Sequence, residues 1–139
     1  MFSDMAPDKK RYWLTPPDFY GRINNEFRFD FDPCPYPRPP GYNSLVVPWG
    51  QCNYVNPPFL KSDAPHGGPA TFARKAIAEQ ALGKTSVVVL SVPWSIHLLM
   101  RAGAEIRYAG RVRWLEVDTH EPCPRNAPQI IAVLKGKGT

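Results

Sequence analysis

The chain is poor in the residues that staple or metallate small proteins, with three cysteines and three histidines in 139 residues. Cys34, Cys52 and Cys123 stand far apart with no Cys-x-x-Cys pair, so neither a disulfide framework nor a zinc knuckle is encoded, and reduced thiols are expected. His66, His97 and His120 have no ligand spacing, so no metal is expected. No stretch approaches the roughly 18 to 20 apolar residues of a membrane helix, and the charged residues 1–11 lack the apolar core of a secretory signal. A cytoplasmic protein with no membrane partner is the expectation. The length leaves no room for a separate substrate-reading domain beside a catalytic one, so a single domain over 12–139 behind a loose arm at 1–11 is expected.

Proline, by contrast, is abundant. Seventeen residues is more than twice the usual share of roughly 5%, and they fall mostly between the hydrophobic runs, which calls for long, stiff loops. Hydrophobic residues at 43% and charged residues at 21% are globular values, so collagen-like and disordered readings are excluded. Seventeen Lys and Arg against twelve Asp and Glu give a net charge of +5, which suits an anionic partner such as nucleic acid.

Along the chain, Phe19, Ile23 and Phe27 recur at helical spacing behind Thr15-Pro16-Pro17-Asp18, where Thr or Asp can cap and prolines are tolerated in the first turn. The alternation Phe27, Phe29, Phe31 reads as a strand ending at Asp32. A proline-dense loop follows over 33–48, then a strand candidate at 51–55. Residues 70–82 carry Phe72, Ala73, Ala76, Ile77 and Ala81 on one helical face, with Gly83 as the stop. Residues 85–92 carry an unbroken Ser-Val-Val-Val-Leu-Ser-Val run, which suggests a strand buried on both faces as in a parallel sheet. A short helix at 94–102, two strands around Ala109-Gly110 and a last strand at 129–134 complete an α/β order, with helices on both faces of one sheet.

Asn56-Pro57-Pro58-Phe59 follows the 51–55 strand, and the carboxyl ends of strands are where open α/β sheets bind ligands. An amino group attached to a planar carbon is a poor nucleophile because its lone pair is delocalised. An Asn side-chain oxygen and a neighbouring backbone carbonyl can accept both of its N–H hydrogens and localise the lone pair for attack. The prolines hold these acceptors rigid, and Phe59 offers a face on which a base can stack. The same tetrapeptide is also an ordinary way to end a strand, with Phe59 plugging a core.

With its flanking elements this motif resembles the S-adenosylmethionine-dependent amino-methyltransferases, whose signature is (D/N/S)-P-P-(Y/F/W), and more closely the compact phage-type, Dam-like DNA N6-adenine methyltransferases. The likeness runs through Trp13-x-Thr15-Pro16, Phe31-Asp32-Pro33-Cys34-Pro35, Asn56-Pro57-Pro58-Phe59, the helix ending at Gly83, Pro93-Trp94, Gly110-Arg111 and Ala127-Pro128. It implies a compact, reduced Rossmann-like methyltransferase sheet and methylation of adenine N6 in DNA, with Asn56, Pro57, Pro58 and Phe59 as the catalytic motif. It also implies S-adenosyl-L-methionine as cofactor, held by Thr15, Pro16, Asp32, Pro33 and Cys34, and a host-cell cytoplasmic setting if the chain is phage-encoded. Asp32 would accept hydrogen bonds from the donor's ammonium group. Asp32 and Thr15 also fit as simple loop and helix caps.

For a DNA substrate, Arg38, Lys61, Arg74, Lys75, Arg111 and Arg113 are candidate phosphate contacts and Trp94 a brace for an extruded base, although each alone also fits a solvated charge or a core aromatic. A homodimer would extend such a track. Two departures stand out. The segment after the first strand is Asp-Pro-Cys-Pro rather than glycine-rich, and residues 45–52 offer no acid for ribose hydroxyls. They keep open a methyltransferase-derived module that binds nucleic acid or a host protein without turnover. N4-cytosine and protein glutamine methylation are the alternatives within the enzyme class.

Overall fold

A computed structural model describes residues 13–35, 38–57, 67–90, 96–116, 118–123 and 127–137; the expected arm at 1–11 lies outside them. In chain order the elements are β1 (Trp13–Leu14), α1 (Pro17–Phe27), a 3-10 turn (Ser44–Val46), β2 (Cys52–Val55), α2 (Pro69–Ala81), β3 (Thr85–Leu90), α3 (Ile96–Arg101), β4 (Glu105–Val112), β5 (Leu115–Glu116) and β6 (Ala127–Leu134). The fold is mixed α/β.

Four strands make one mixed sheet in the order β2-β3-β6-β4, and β1 pairs with β5 in a separate two-stranded ribbon. β2 is parallel to β3, while β6 runs antiparallel to both β3 and β4. β4 therefore points the same way as β2 and β3. Outside β2, Phe31 makes a parallel bridge to Asn53, secured by Asp30 N donating to Cys52 O at 2.9 Å and Tyr54 N to Phe31 O at 3.0 Å. The carboxyl ends of the Phe31 segment, β2, β3 and β4 thus share one edge.

The Val-Val-Val-Leu run of β3 is buried on both faces. Val88 and Leu90 join Phe72, Ala73 and Ala76 of α2 and Leu99 of α3 in one core, and Val87 and Val89 join Phe19 and Ile23 of α1 in the other. This realises the expected helices on both faces. The expected parallel environment of β3 holds on its β2 side only, because β6 is antiparallel.

Several local expectations are corrected. Phe27, Phe29 and Phe31 do not form a strand: Phe27 ends α1, Arg28 is left-handed at φ 59°, and only Phe31 bridges. Side chains supplement the short ladder here: Asn24 Oδ1 accepts from Phe29 N and the Asp30 carboxylate accepts from the Gln51 and Cys52 amides. Neither Thr15 nor Asp18 caps α1; Pro16 holds the N-cap position, with no side-chain cap bond. In α2 the buried residues include Glu79 and Gln80, and Ala81 is exposed, because both polar side chains are anchored inward. Glu79 accepts from Trp49 N and from Lys75 and Lys84, and Gln80 donates to the Ala102 and Lys135 carbonyls. Ala109-Gly110 does not divide two strands. β4 continues through a bulge between Tyr108 and Gly110, where Gly110 takes φ 92°.

Candidate functional site at the carboxyl edge of the sheet

Each parallel strand end delivers one part of the site. The Phe31 bridge ends at Asp32, and the next strand over, β2, ends at Asn56-Pro57. Strand spacing places these two backbones about 5 Å apart laterally. Pro57 is fully buried and Asn56 half-buried. Among the described residues, none hydrogen-bonds the Asn56 side-chain amide, so its oxygen keeps its accepting capacity.

The proline-dense loop is held by side chains in place of regular structure. Asp32 Oδ1 accepts from Cys34 N at 2.8 Å, Ser44 Oγ donates to Pro33 O at 2.6 Å, and Trp49 Nε1 donates to Ser44 O at 2.9 Å. The buried Cys34 thiol is pushed well above its ordinary range, by burial first and the Asp32 charge second, against a lowering hydrogen bond from the Asn56 backbone. That keeps it a packing thiol and ties the loop to the end of β2.

Asp32 remains open to water, yet the protein around it crowds its carboxyl enough to raise it from the ordinary 3.8 to about 6. Burial is the main cause, opposed by the Cys34 N–H bond. Among the described residues no cation pairs with it. Tyr20, Tyr42 and Tyr54 all feel its charge, which raises their hydroxyls beyond the larger effect of burial. A carboxylate of this kind, beside aromatic rings and without a cation, is suited to a cationic ligand.

Thr15 and Pro16 sit at the start of α1, where Thr15 Oγ1 and Tyr54 Oη share a 2.7 Å hydrogen bond. The expected donor-binding residues Thr15, Asp32 and Cys34 therefore meet around Tyr54, two residues before Asn56. Sequence reasoning missed Tyr20, Tyr42 and Tyr54. The signal for Tyr54 was a tyrosine inside an apolar strand, whose hydroxyl must find a partner when buried.

Of the expected phosphate contacts, Arg38, Arg74, Arg111 and Arg113 are exposed. Arg111 and Arg113 lie at the end of β4, three strand spacings, about 14 Å, to the side of Asn56 and further along the strand direction, since the register sets Asn56 level with Arg107. Lys75 is engaged elsewhere: it pairs with Glu79 at 2.9 Å and lies 6.0 Å from the Trp49 ring centroid. Pro58, Phe59, Lys61 and Trp94 lie outside the described residues.

No known protein family, no curated protein and no solved structure matches the chain. Among the described residues, no helix is long and apolar enough to cross a membrane, and no cluster of three His, Cys, Asp or Glu could hold a metal.

Proposed function

We propose that the protein is an S-adenosylmethionine-dependent DNA methyltransferase that acts on N6 of adenine, on a reduced Rossmann-like sheet. The observation that carries this reading is the Asn56 side-chain amide at the end of a parallel strand, with the Asp32 carboxylate one strand away and, among the described residues, no partner for the amide and no cation on the carboxylate. The residues present fit the amino-acid end of the donor: Asp32 would accept hydrogen bonds from its ammonium group, with the Thr15-Pro16 turn near it. When bound, S-adenosylmethionine supplies a methyl carbon made electrophilic by its sulfonium.

Asn56 Oδ1 and the Pro57 carbonyl each accept one N–H of the target amine, which draws the nitrogen toward tetrahedral geometry and exposes its lone pair. Burial of Pro57 fixes the backbone that follows Asn56. A base inside a duplex cannot reach this edge, so the target is extruded or already single-stranded. Arg111 and Arg113 then supply a basic border for the sugar-phosphate backbone. The test is transfer of labelled methyl groups to DNA. Wild-type protein transfers label, and a folded Asn56→Ala variant does not; equal transfer by that variant overturns the role of Asn56.

A second reading, a binding module without turnover, is favoured by one observation. The Cys34 amide, which a glycine-rich turn would leave open to a ligand, is taken by Asp32. Calorimetry with S-adenosylmethionine separates the two readings: micromolar binding supports the enzyme, and no heat of binding with DNA present supports the module.

A further inference from the structure

Tyr54 is 3% exposed, and its ring is held on two sides, edge-on by Tyr20 at 5.0 Å between centroids and tilted against Phe29 at 5.3 Å. With the ring so fixed, its hydroxyl has a narrow range of directions, and it meets Thr15 Oγ1 at 2.7 Å. Thr15 belongs to the short turn between β1 and α1, whereas Tyr54 belongs to β2, whose next residues are Val55 and Asn56. The Tyr54 amide also donates to Phe31 O, directly before Asp32. One residue therefore contacts the turn, the acid-bearing segment and the strand that ends at the amide.

We infer that Tyr54 is a positioning residue of this site, whose hydroxyl, bonded to Thr15, fixes the donor-side turn relative to the strand that carries Asn56. The inference rests on the methyltransferase reading for the identity of the ligand, but the tether itself is a property of the free protein. The hydroxyl–hydroxyl bond joins a ring fixed in an aromatic cluster to the half-buried Thr15, so its loss frees the turn without opening the sheet. The carboxylate and the amide would stay in place, and the Thr15-Pro16 turn would not.

The test uses the full chain in three variants, Tyr54→Phe, Thr15→Val and the double variant, with Thr15→Ser as the conservative rescue. Amide hydrogen exchange is followed in free protein, and S-adenosylmethionine affinity is measured by calorimetry. The expected result is faster exchange in the first turn of α1, including the Tyr20 amide bonded to Pro16 O, with the β3–β6 ladder unchanged. Donor affinity should fall about five- to tenfold in each single variant and no further in the double, because both remove the same bond. Thr15→Ser should recover most of the affinity lost in Thr15→Val. First-turn exchange that does not change, or that rises together with the whole sheet, overturns the inference, as do losses of affinity that simply add. If wild-type protein binds no donor, the methyltransferase reading fails, and the exchange pattern still decides whether Tyr54 tethers the turn.

Discussion

Asp32 makes the site sensitive to pH in a range where ordinary aspartates are silent. With its carboxyl raised from 3.8 to about 6, mainly by burial and against the Cys34 N–H bond, it changes charge between pH 7 and pH 5. It is about nine-tenths ionised at pH 7 and about one-tenth at pH 5, so a donor held through its ammonium group should bind about tenfold more weakly at pH 5. The donor's own amino group stays protonated across this window. An aspartate at its ordinary value would leave affinity flat over the same range. Asp32→Asn keeps an oxygen for the Cys34 amide but removes the charge, so its affinity should be low at pH 7 and independent of pH down to 5. In the free protein the sign is opposite. Because the folded value lies above the unfolded one, the stability contributed by this group is fully present below about 3.8 and is lost as pH rises through about 6. Asp32→Asn should therefore gain in melting temperature relative to wild type at pH 8 and lose that advantage at pH 4. Carboxyl NMR titration of Asp32 reads the midpoint directly. A midpoint near 3.8, or donor affinity unchanged between pH 7 and pH 5, refutes the reasoning.

Other perturbations test the scaffold behind the edge. Burial alone would raise the Glu79 carboxyl, but hydrogen bonds from Lys75, the Trp49 amide and Lys84 outweigh it and hold the group below its usual 4.5. Its stabilisation is thus present above 4.5 and lost as pH falls through the lower folded value, and Glu79→Gln should cost about 2 to 3 kcal/mol in urea unfolding at pH 7 and much less at pH 3. Arg28 holds φ 59° without the freedom of glycine, so Arg28→Gly should stabilise the protein by about 0.5 to 1 kcal/mol in the same assay. A Cβ at Gly50 would overlap Asp30 Oδ1 and come within 2.7 Å of the Phe31 Cβ. Gly50→Ala should therefore destabilise by about 1 to 3 kcal/mol, and it should loosen the Asp30 contacts that align the Asp32 segment beside β2.

The parts of the fold that were legible in the sequence are those with one dominant signal. The Val-Val-Val-Leu run marked β3 because nothing polar interrupts it, and the Phe72, Ala73, Ala76 stripe with Gly83 marked α2 and its end. The Phe27, Phe29, Phe31 alternation misled because period-two aromatics can also tile a helix end: Phe27 and Phe29 stack at 5.9 Å across the left-handed Arg28. Ala109-Gly110 resembled a turn because glycine serves bulges as well as turns. At the site, Asn56 stood out because an amide follows a strand candidate, and Asp32 because the family resemblance places an acid there. The tyrosines around Asp32 come from α1, the proline-rich loop and β2, so only the fold brings them together. Lys75 read as a candidate phosphate contact or a solvated charge because its partner, Glu79, is buried by packing that no local pattern records.

The central claim is chemical, and the product of the reaction tests it most directly. DNA incubated with the protein and labelled S-adenosylmethionine, then digested to nucleosides, should carry its label on N6 of deoxyadenosine and nowhere else. Label on deoxycytidine, or unlabelled nucleosides from protein that demonstrably binds the donor, would contradict the account.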